Sequence, residues 1–113
     1  MDLAVAVYAA TAKFPQSELY GLTSQMRRAA TSVAANIAEG YGRESTRSYI
    51  QFLKTSRGSL KEVETLVILS ERIKLLTAEQ SKPVLEIAVS IGKMLNSLIR
   101  SLRDQLPGGS SED

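Results

Sequence analysis

Hydrophobic residues recur along this chain at steps of three and four positions, which is the spacing of one face of an α-helix. The pattern divides into four stretches, and no segment alternates between apolar and polar positions as a half-buried strand does. The first stretch is already apolar at Met1 and ends at Pro15. We therefore predict a first helix that is cut short or begins abruptly.

The second stretch is apolar on more than one side. Alanines fill the faces beside its main stripe, so we expect this helix to be buried against more than one neighbour. Gly40 and Gly42 follow, and we predict that they end the helix in left-handed backbone conformations, which glycine adopts without a steric penalty. The main stripe consists of Leu22, Met26, Ala29, Val33 and Ile37.

The third and fourth stretches have long apolar spines. Ser45 is a suitable N-cap for the third helix. The fourth helix has two possible starts, because Thr77 with Gln80 forms a capping box whereas a start at Ser81 places Pro83 in the first turn. A start at Thr77 leaves Pro83 inside the helix, where we expect a kink or a restart. The spines are Tyr49, Leu53, Ser56, Leu60, Val63 and Val67 in the third helix, and Val84, Ala88, Ile91, Leu95, Leu98 and Leu102 in the fourth.

Short links join the four stretches. Four helices with short connections predict an all-α fold, an antiparallel up-down-up-down four-helix bundle, over residues 1–106. Residues 107–113 read PGGSSED and are predicted to form a disordered C-terminal tail. No apolar run reaches the ~20 residues of a membrane span, and the N-terminus lacks the basic region of a signal peptide. We expect a cytoplasmic protein with no membrane partner.

The composition excludes several kinds of chemistry. The chain of 113 residues has no cysteine and no histidine, which removes thiolate nucleophiles, imidazole bases and almost every zinc site. A carboxylate-bridged metal site in a bundle follows a Glu-x-x-His pattern, which is absent here. We predict no enzymatic activity, no catalytic residue, no cofactor and no metal site. The glutamates considered for such a site are Glu39, Glu62, Glu64 and Glu71, and we interpret them as solvated or interfacial charges.

The segment G-Y-G-R-E-S, residues 40–45, invites comparison with a phosphate-binding loop. Its spacing does not match the known glycine-rich phosphate loops, and no strand precedes it. We therefore predict a corner between the second and third helices. Asn36 and Glu39 are predicted to fix this corner, Glu39 through a salt bridge to Arg28, Arg43 or a neighbouring subunit.

Positive charge is concentrated in the middle of the chain. Residues 24–61 contain seven Lys or Arg and two acids, whereas the rest of the chain is net negative. At roughly 100° per residue, Arg47, Lys54 and Lys61 fall within about 40° of one another around the third helix, with Arg57 about 80° away. With Arg43 at their start, these residues form a set that we call the basic ribbon: Arg43, Arg47, Lys54, Arg57 and Lys61.

Two interpretations of the basic ribbon stay open. One is contact with the phosphate backbone of RNA or DNA, including a single phosphate held near Arg43 and Arg47 at the start of the third helix. The other is an ordinary solvated face that includes intersubunit salt bridges. Arg27 and Arg28 lie among small residues of the second helix, and we interpret them as structural.

Two stretches carry a resemblance to a known family. FPQSELYGLTSQMRRAATSVAANIAEGYGR and YIQFLKTSRGSLKEVETL resemble the four-helix-bundle proteins encoded by intervening sequences of bacterial large-subunit ribosomal RNA genes. The resemblance covers residues 14–69 and is strongest at residues 25–29, 36–43 and 57–64. It is specific because the order, spacing and identity of the residues all agree.

The resemblance implies an all-helical bundle that assembles into a ring-like homopentamer, with a basic surface suspected of a nucleic-acid role. A related bundle accompanies the reverse transcriptase of diversity-generating retroelements, so a nucleic-acid-processing protein is a further expected partner. The family has no catalytic residues to carry over. The alternative expectation is a self-assembling scaffold or protein-interaction module with no nucleic-acid role.

Overall fold

The computed structural model describes residues 1–107, and these residues form four α-helices and no strand. The all-α, four-helix prediction is therefore confirmed. A short 3-10 turn and an irregular turn, with non-helical backbone at Gly21, join the first two helices. Of the predicted disordered tail, residues 108–113 lie outside the described residues. The helices are α1 (Asp2–Thr11), α2 (Ser24–Tyr41), α3 (Thr46–Arg72) and α4 (Ala78–Asp104).

Side-chain contacts show that α2 and α3 run in opposite directions. Ser32 of α2 hydrogen-bonds Ser59 of α3 at 2.9 Å, whereas Ser70, further along α3, places its hydroxyl 3.5 Å from the sulfur of Met26, earlier on α2. α2 also packs against α1, as its several apolar faces predict. The bundle is elongated and measures 51 × 22 × 20 Å.

The predicted spine of α3 lies at the centre of the core. Leu53, Leu60 and Val63 are each at most 2% exposed. Ser56 is also buried, and its hydroxyl donates a 2.8 Å hydrogen bond to the Val33 carbonyl of α2. A buried hydroxyl without a partner costs about 1–3 kcal/mol. The bond to Val33 therefore allows a polar residue to stand in the spine between α2 and α3.

The prediction that Gly40 and Gly42 end α2 in left-handed conformations is wrong. Gly40 lies inside α2, which continues to Tyr41, and Gly42 has φ −80° and ψ −2°, an ordinary right-handed conformation. Gly40 is required for another reason. A Cβ at this position would lie 2.8 Å from the Phe52 Cβ and 2.9 Å from the Tyr49 Cδ1 of α3. The glycine lets the α2 and α3 backbones approach closely at this end of the bundle.

The helix starts agree with the predicted caps. The Ser45 hydroxyl accepts a 3.2 Å hydrogen bond from the Ser48 N–H at the start of α3. α4 begins with the capping box, in which the Gln80 N–H donates to the Thr77 Oγ1 at 3.1 Å and the Thr77 N–H donates to the Gln80 Oε1 at 2.9 Å. This start places Pro83 inside α4, but the helix continues past it without the predicted restart. The proline removes one backbone hydrogen bond near the helix start, where the capping box holds the first turn.

Replacing Thr77 with alanine is expected to lower the free energy of unfolding by about 1 kcal/mol, because the Gln80 N–H loses its acceptor. Urea unfolding measures the change. Thr65→Ala is the matched control, since the exposed Thr65 hydroxyl only bonds the Lys61 carbonyl of its own helix at 2.9 Å. Alanine favours a helix interior, so this control is expected to be neutral or slightly stabilising. Equal losses in both variants would contradict a capping role for Thr77.

Candidate nucleic-acid interface

Four of the five basic-ribbon residues lie on α3. Arg47 and Lys61 are exposed, while Lys54 and Arg57 are half-buried. Arg47, Lys54 and Lys61 are seven residues apart in turn, so the row is about 21 Å long at ~1.5 Å per residue. Arg43 lies in the link between α2 and α3. The structure thus holds four of these cations on one helix and the fifth in the link that precedes it.

Three ribbon residues have partners within the bundle. The Arg43 guanidinium pairs with the Glu39 carboxylate at 2.8 Å and stacks 4.9 Å from the centre of the Phe52 ring. Arg57 donates a 3.0 Å hydrogen bond to the Asn96 Oδ1 of α4. Ion pairs at the surface contribute only about 0–1 kcal/mol, so the Glu39 pair does not prevent Arg43 from meeting an anion.

Lys61 also has an internal partner. Its ammonium lies 3.4 Å from the Glu64 carboxylate one turn later on α3, and the lysine side chain is still 77% exposed. Arg47 and Lys54 differ from the other three ribbon residues, because within residues 1–107 neither side chain has a hydrogen bond or an ion pair. Their charges are therefore not neutralised by another side chain of the described residues.

The corner between α2 and α3 is fixed by fewer residues than predicted. Glu39 does contribute, through its 2.8 Å pair with Arg43 across the end of α2. Asn36 does not, because its side-chain amide donates to the Ser32 carbonyl and hydroxyl, both at 2.9 Å, one turn earlier in the same helix. The expected role of Asn36 at the corner is therefore corrected. The Arg43 N–H donates to the Gly40 carbonyl at 3.1 Å and closes the turn.

Arg27 joins α1 to α2, as expected of a structural residue. Its Nε donates to the Thr11 hydroxyl at 2.9 Å, and its guanidinium lies 4.5 Å from the centre of the Tyr8 ring. Arg28 is exposed and reaches only the Ser24 hydroxyl, at 3.4 Å. These two arginines lie on α2, apart from the basic ribbon.

Sequence reasoning missed the cations of α4. Asn96, which accepts the hydrogen bond from Arg57, has Lys93 three residues before it and Arg100 four residues after it, so all three share one face of α4. Lys93 and Arg100 are exposed. They were hidden because residues 62–113 are net negative as a whole. The spacing of Lys93 and Arg100 from Asn96 places them on one face of α4. This spacing indicates a role only when the structure shows that Asn96 contacts α3.

In residues 1–107, no group of three or more Asp or Glu side chains is placed to hold a metal ion. No helix in that part of the chain is both long and apolar enough to cross a membrane.

A second surface feature is an apolar groove along α1, α2 and α4. It encloses about 400 Å³ and is lined mainly by apolar side chains, among them Leu3, Ile37, Ile91 and Met94. The α1 helix has 10 residues and α2 has 18, so α1 is about 12 Å shorter. Tyr41, at the end of α2, also lines the groove and is 79% exposed.

Comparison with known proteins identifies the type of bundle. The model of the 23S rRNA-intervening sequence protein family matches residues 1–97. A solved crystal structure from Bacteroides thetaiotaomicron, described as a protein with unknown function from the S23 ribosomal protein family, superposes with a TM-score of 0.78. It shares 26% identity, and the match covers 87% of this chain and 92% of that one. No curated protein matches the chain.

Proposed function

Since this chain belongs to the 23S rRNA-intervening sequence protein family, we propose that it is a non-enzymatic protein that binds the phosphate backbone of RNA or DNA through its basic ribbon. The observation that carries this proposal is the pair of unpartnered cations, Arg47 and Lys54, in line on α3. A cation without an internal partner gains most from a phosphate, because it gives up no ion pair to reach it.

Electrostatic binding also fits the absence of internal side-chain partners at Arg47 and Lys54 within residues 1–107. Neither the Arg47 nor the Lys54 side chain is fixed by a hydrogen bond or an ion pair within the described residues, so neither is held in the geometry that base-specific hydrogen bonds require. Phosphate contacts do not need that precision, and they carry no sequence information. The function supported best is therefore binding that depends on charge and not on base sequence. A nucleic-acid-processing protein is the kind of partner that such an accessory would assist.

Fluorescence anisotropy with labelled RNA and DNA of about 20 nucleotides, titrated from about 50 to 250 mM salt, tests the proposal. Binding is expected at the lowest salt, with log K falling linearly with log salt at about 0.7–0.9 per phosphate contacted. The ribbon offers two to four such contacts, so we expect a slope of about −1.4 to −3.6. Absence of binding at the lowest salt, or affinity that does not change with salt, would contradict the proposal.

Self-assembly is a second candidate function, and the surface of α1 favours it. α1 is apolar almost all round, with Asp2 as its single charged residue. A helix of this kind is normally buried on every side, yet Met1 is 85% exposed and Val5 68% exposed in the single chain. We propose that copies of the chain cover this face in a homo-oligomer, with the pentamer as the expected size.

Light scattering is expected to give a mass about five times the 12.3 kDa of one chain. Val5→Glu is expected to shift the protein towards the monomer, because it places a charge in the covered face. Ile68→Glu is the matched control, since Ile68 is an exposed aliphatic residue on α3, away from α1. A stable monomer of the unmodified chain, or equal dissociation in both variants, would contradict this assembly surface.

A further inference from the structure

α4 packs beside α3, the helix that carries most of the basic ribbon. The Arg57 guanidinium on α3 donates to the Asn96 Oδ1 on α4 at 3.0 Å. One turn along, a Cβ at Gly92 would lie 3.5 Å from the Leu60 Cδ2. As numbers rise on α3 they fall on α4, so residues 47–61 face residues 92–106 in antiparallel order.

The charges on these two facing segments are nearly all positive. Residues 47–61 and 92–106 contain seven of the chain's 14 Lys and Arg and one of its 12 Asp and Glu, Asp104. Glu62 and Glu64 come directly after the first segment. The cations are Arg47, Lys54, Arg57, Lys61, Lys93, Arg100 and Arg103.

The α4 cations form a second row beside the ribbon. Lys93 and Arg100 are both exposed, and both lie on the side of α4 that Asn96 turns towards Arg57. The two rows therefore run side by side on neighbouring packed helices. We call the surface formed by both segments the two-helix basic face.

Aromatic side chains are absent from the exposed part of this face. The aromatic residues of α3 are Tyr49 and Phe52, and both contact Gly40, so they point towards α2. The exposed tyrosines of residues 1–107 lie on other elements. Proteins that bind single strands generally add aromatic stacking to charge, worth about 1–3 kcal/mol per base. This face has charge without stacking.

We infer that the ligand of the two-helix basic face is double-stranded nucleic acid, held through the phosphates of both strands by α3 and α4. The inference rests on the proposed function and specifies its ligand. A duplex carries one charge per ~1.7 Å of axis, against one per ~3.4 Å for each strand, so binding by charge alone favours it. Two rows of cations match the two lines of phosphates on a duplex, whereas a single strand has one line.

The test uses the full chain and four labelled ligands: duplex RNA, duplex DNA, and an unstructured single strand of each, all about 20 nucleotides long. Duplex binding is expected to be at least about tenfold tighter than single-strand binding at low salt. Lys93→Ala combined with Arg100→Ala is expected to weaken duplex binding about tenfold and to reduce the salt slope by about 2. The two duplexes show whether RNA or DNA supplies the ligand.

The matched control is Lys13→Ala combined with Arg28→Ala, which removes the same charge from exposed positions off the face. It is expected to bind duplex like the unmodified chain. Equal affinity for single strands and duplexes, or equal losses in the two double variants, would overturn the duplex inference and leave the proposed function standing. Binding to none of the four ligands would overturn both. Circular dichroism confirms that each variant is folded.

Discussion

Gly40→Ala is expected to lower the free energy of unfolding by about 1–3 kcal/mol, the usual cost of overpacking a well-packed core. The new methyl group would lie 2.8 Å from the Phe52 Cβ and 3.3 Å from the Tyr49 carbonyl oxygen. Both atoms are fixed to the α3 backbone, so no flexible side-chain end can move aside. Relief requires α2 and α3 to separate at this end of the bundle. The midpoint of thermal unfolding is expected to fall by about 4–12 °C.

Other glycines of the chain provide the controls for this prediction. A Cβ at Gly58, in the middle of α3, meets nothing within 4 Å, so Gly58→Ala is expected to stabilise the protein by about 0.5–1 kcal/mol. A Cβ at Gly42 comes no closer than 3.7 Å to any atom, and its right-handed backbone accepts alanine. A Gly40→Ala variant as stable as Gly42→Ala would show that α2 and α3 are not packed so closely.

Close packing at Gly40 also bears on the candidate interface. Phe52, which limits the space at Gly40, is the ring on which the Arg43 guanidinium stacks at 4.9 Å. Arg43 in turn pairs with Glu39 across the end of α2. Separation of α2 and α3 would therefore move Arg43, at the start of the basic ribbon, more than it would move Lys54. In Gly40→Ala we expect the corner to move and the middle of α3 to keep its place.

The helices could be predicted from the sequence because their evidence is local. The spine of α3 repeats at steps of three and four, and the same residues, such as Leu53, Leu60 and Val63, are buried in the structure. The Ser45 cap and the Thr77 capping box depend on residues three positions apart. Periodicity and capping chemistry are both readable within a single helix.

Gly40, Asn36 and the α4 cations could not be placed from the sequence because their roles depend on neighbours in space. A glycine near a helix end usually marks a left-handed cap, and only the position of Phe52 shows that Gly40 serves close packing. Lys93 and Arg100 belong to a net-negative part of the chain. Their contribution to a basic face follows from the side of α4 that meets α3.

Charge reversal at both unpartnered ribbon residues, Arg47→Glu with Lys54→Glu, is expected to weaken nucleic-acid binding by at least about 100-fold at low salt. Each change removes an attraction to phosphate and adds a repulsion. Neither side chain has a hydrogen bond or ion pair within residues 1–107, so the bundle loses no internal contact of that kind. The thermal midpoint is expected to stay within about 4 °C of the unmodified chain. Anisotropy and thermal unfolding measure the two effects.

The control for charge reversal is Lys13→Glu with Arg28→Glu, which changes the net charge from +2 by the same amount at exposed positions off the ribbon. Long-range charge acts weakly beyond the ~10 Å screening length at 0.1 M salt, so this variant is expected to lose less than about threefold in affinity. Arg47→Lys with Lys54→Arg should bind normally, because both cations bind phosphate and each position keeps its positive charge. If the control loses as much affinity as the ribbon variant, binding follows the overall charge, and α3 does not form the interface. If only the ribbon variant loses affinity and it remains folded, the contact lies at Arg47 and Lys54.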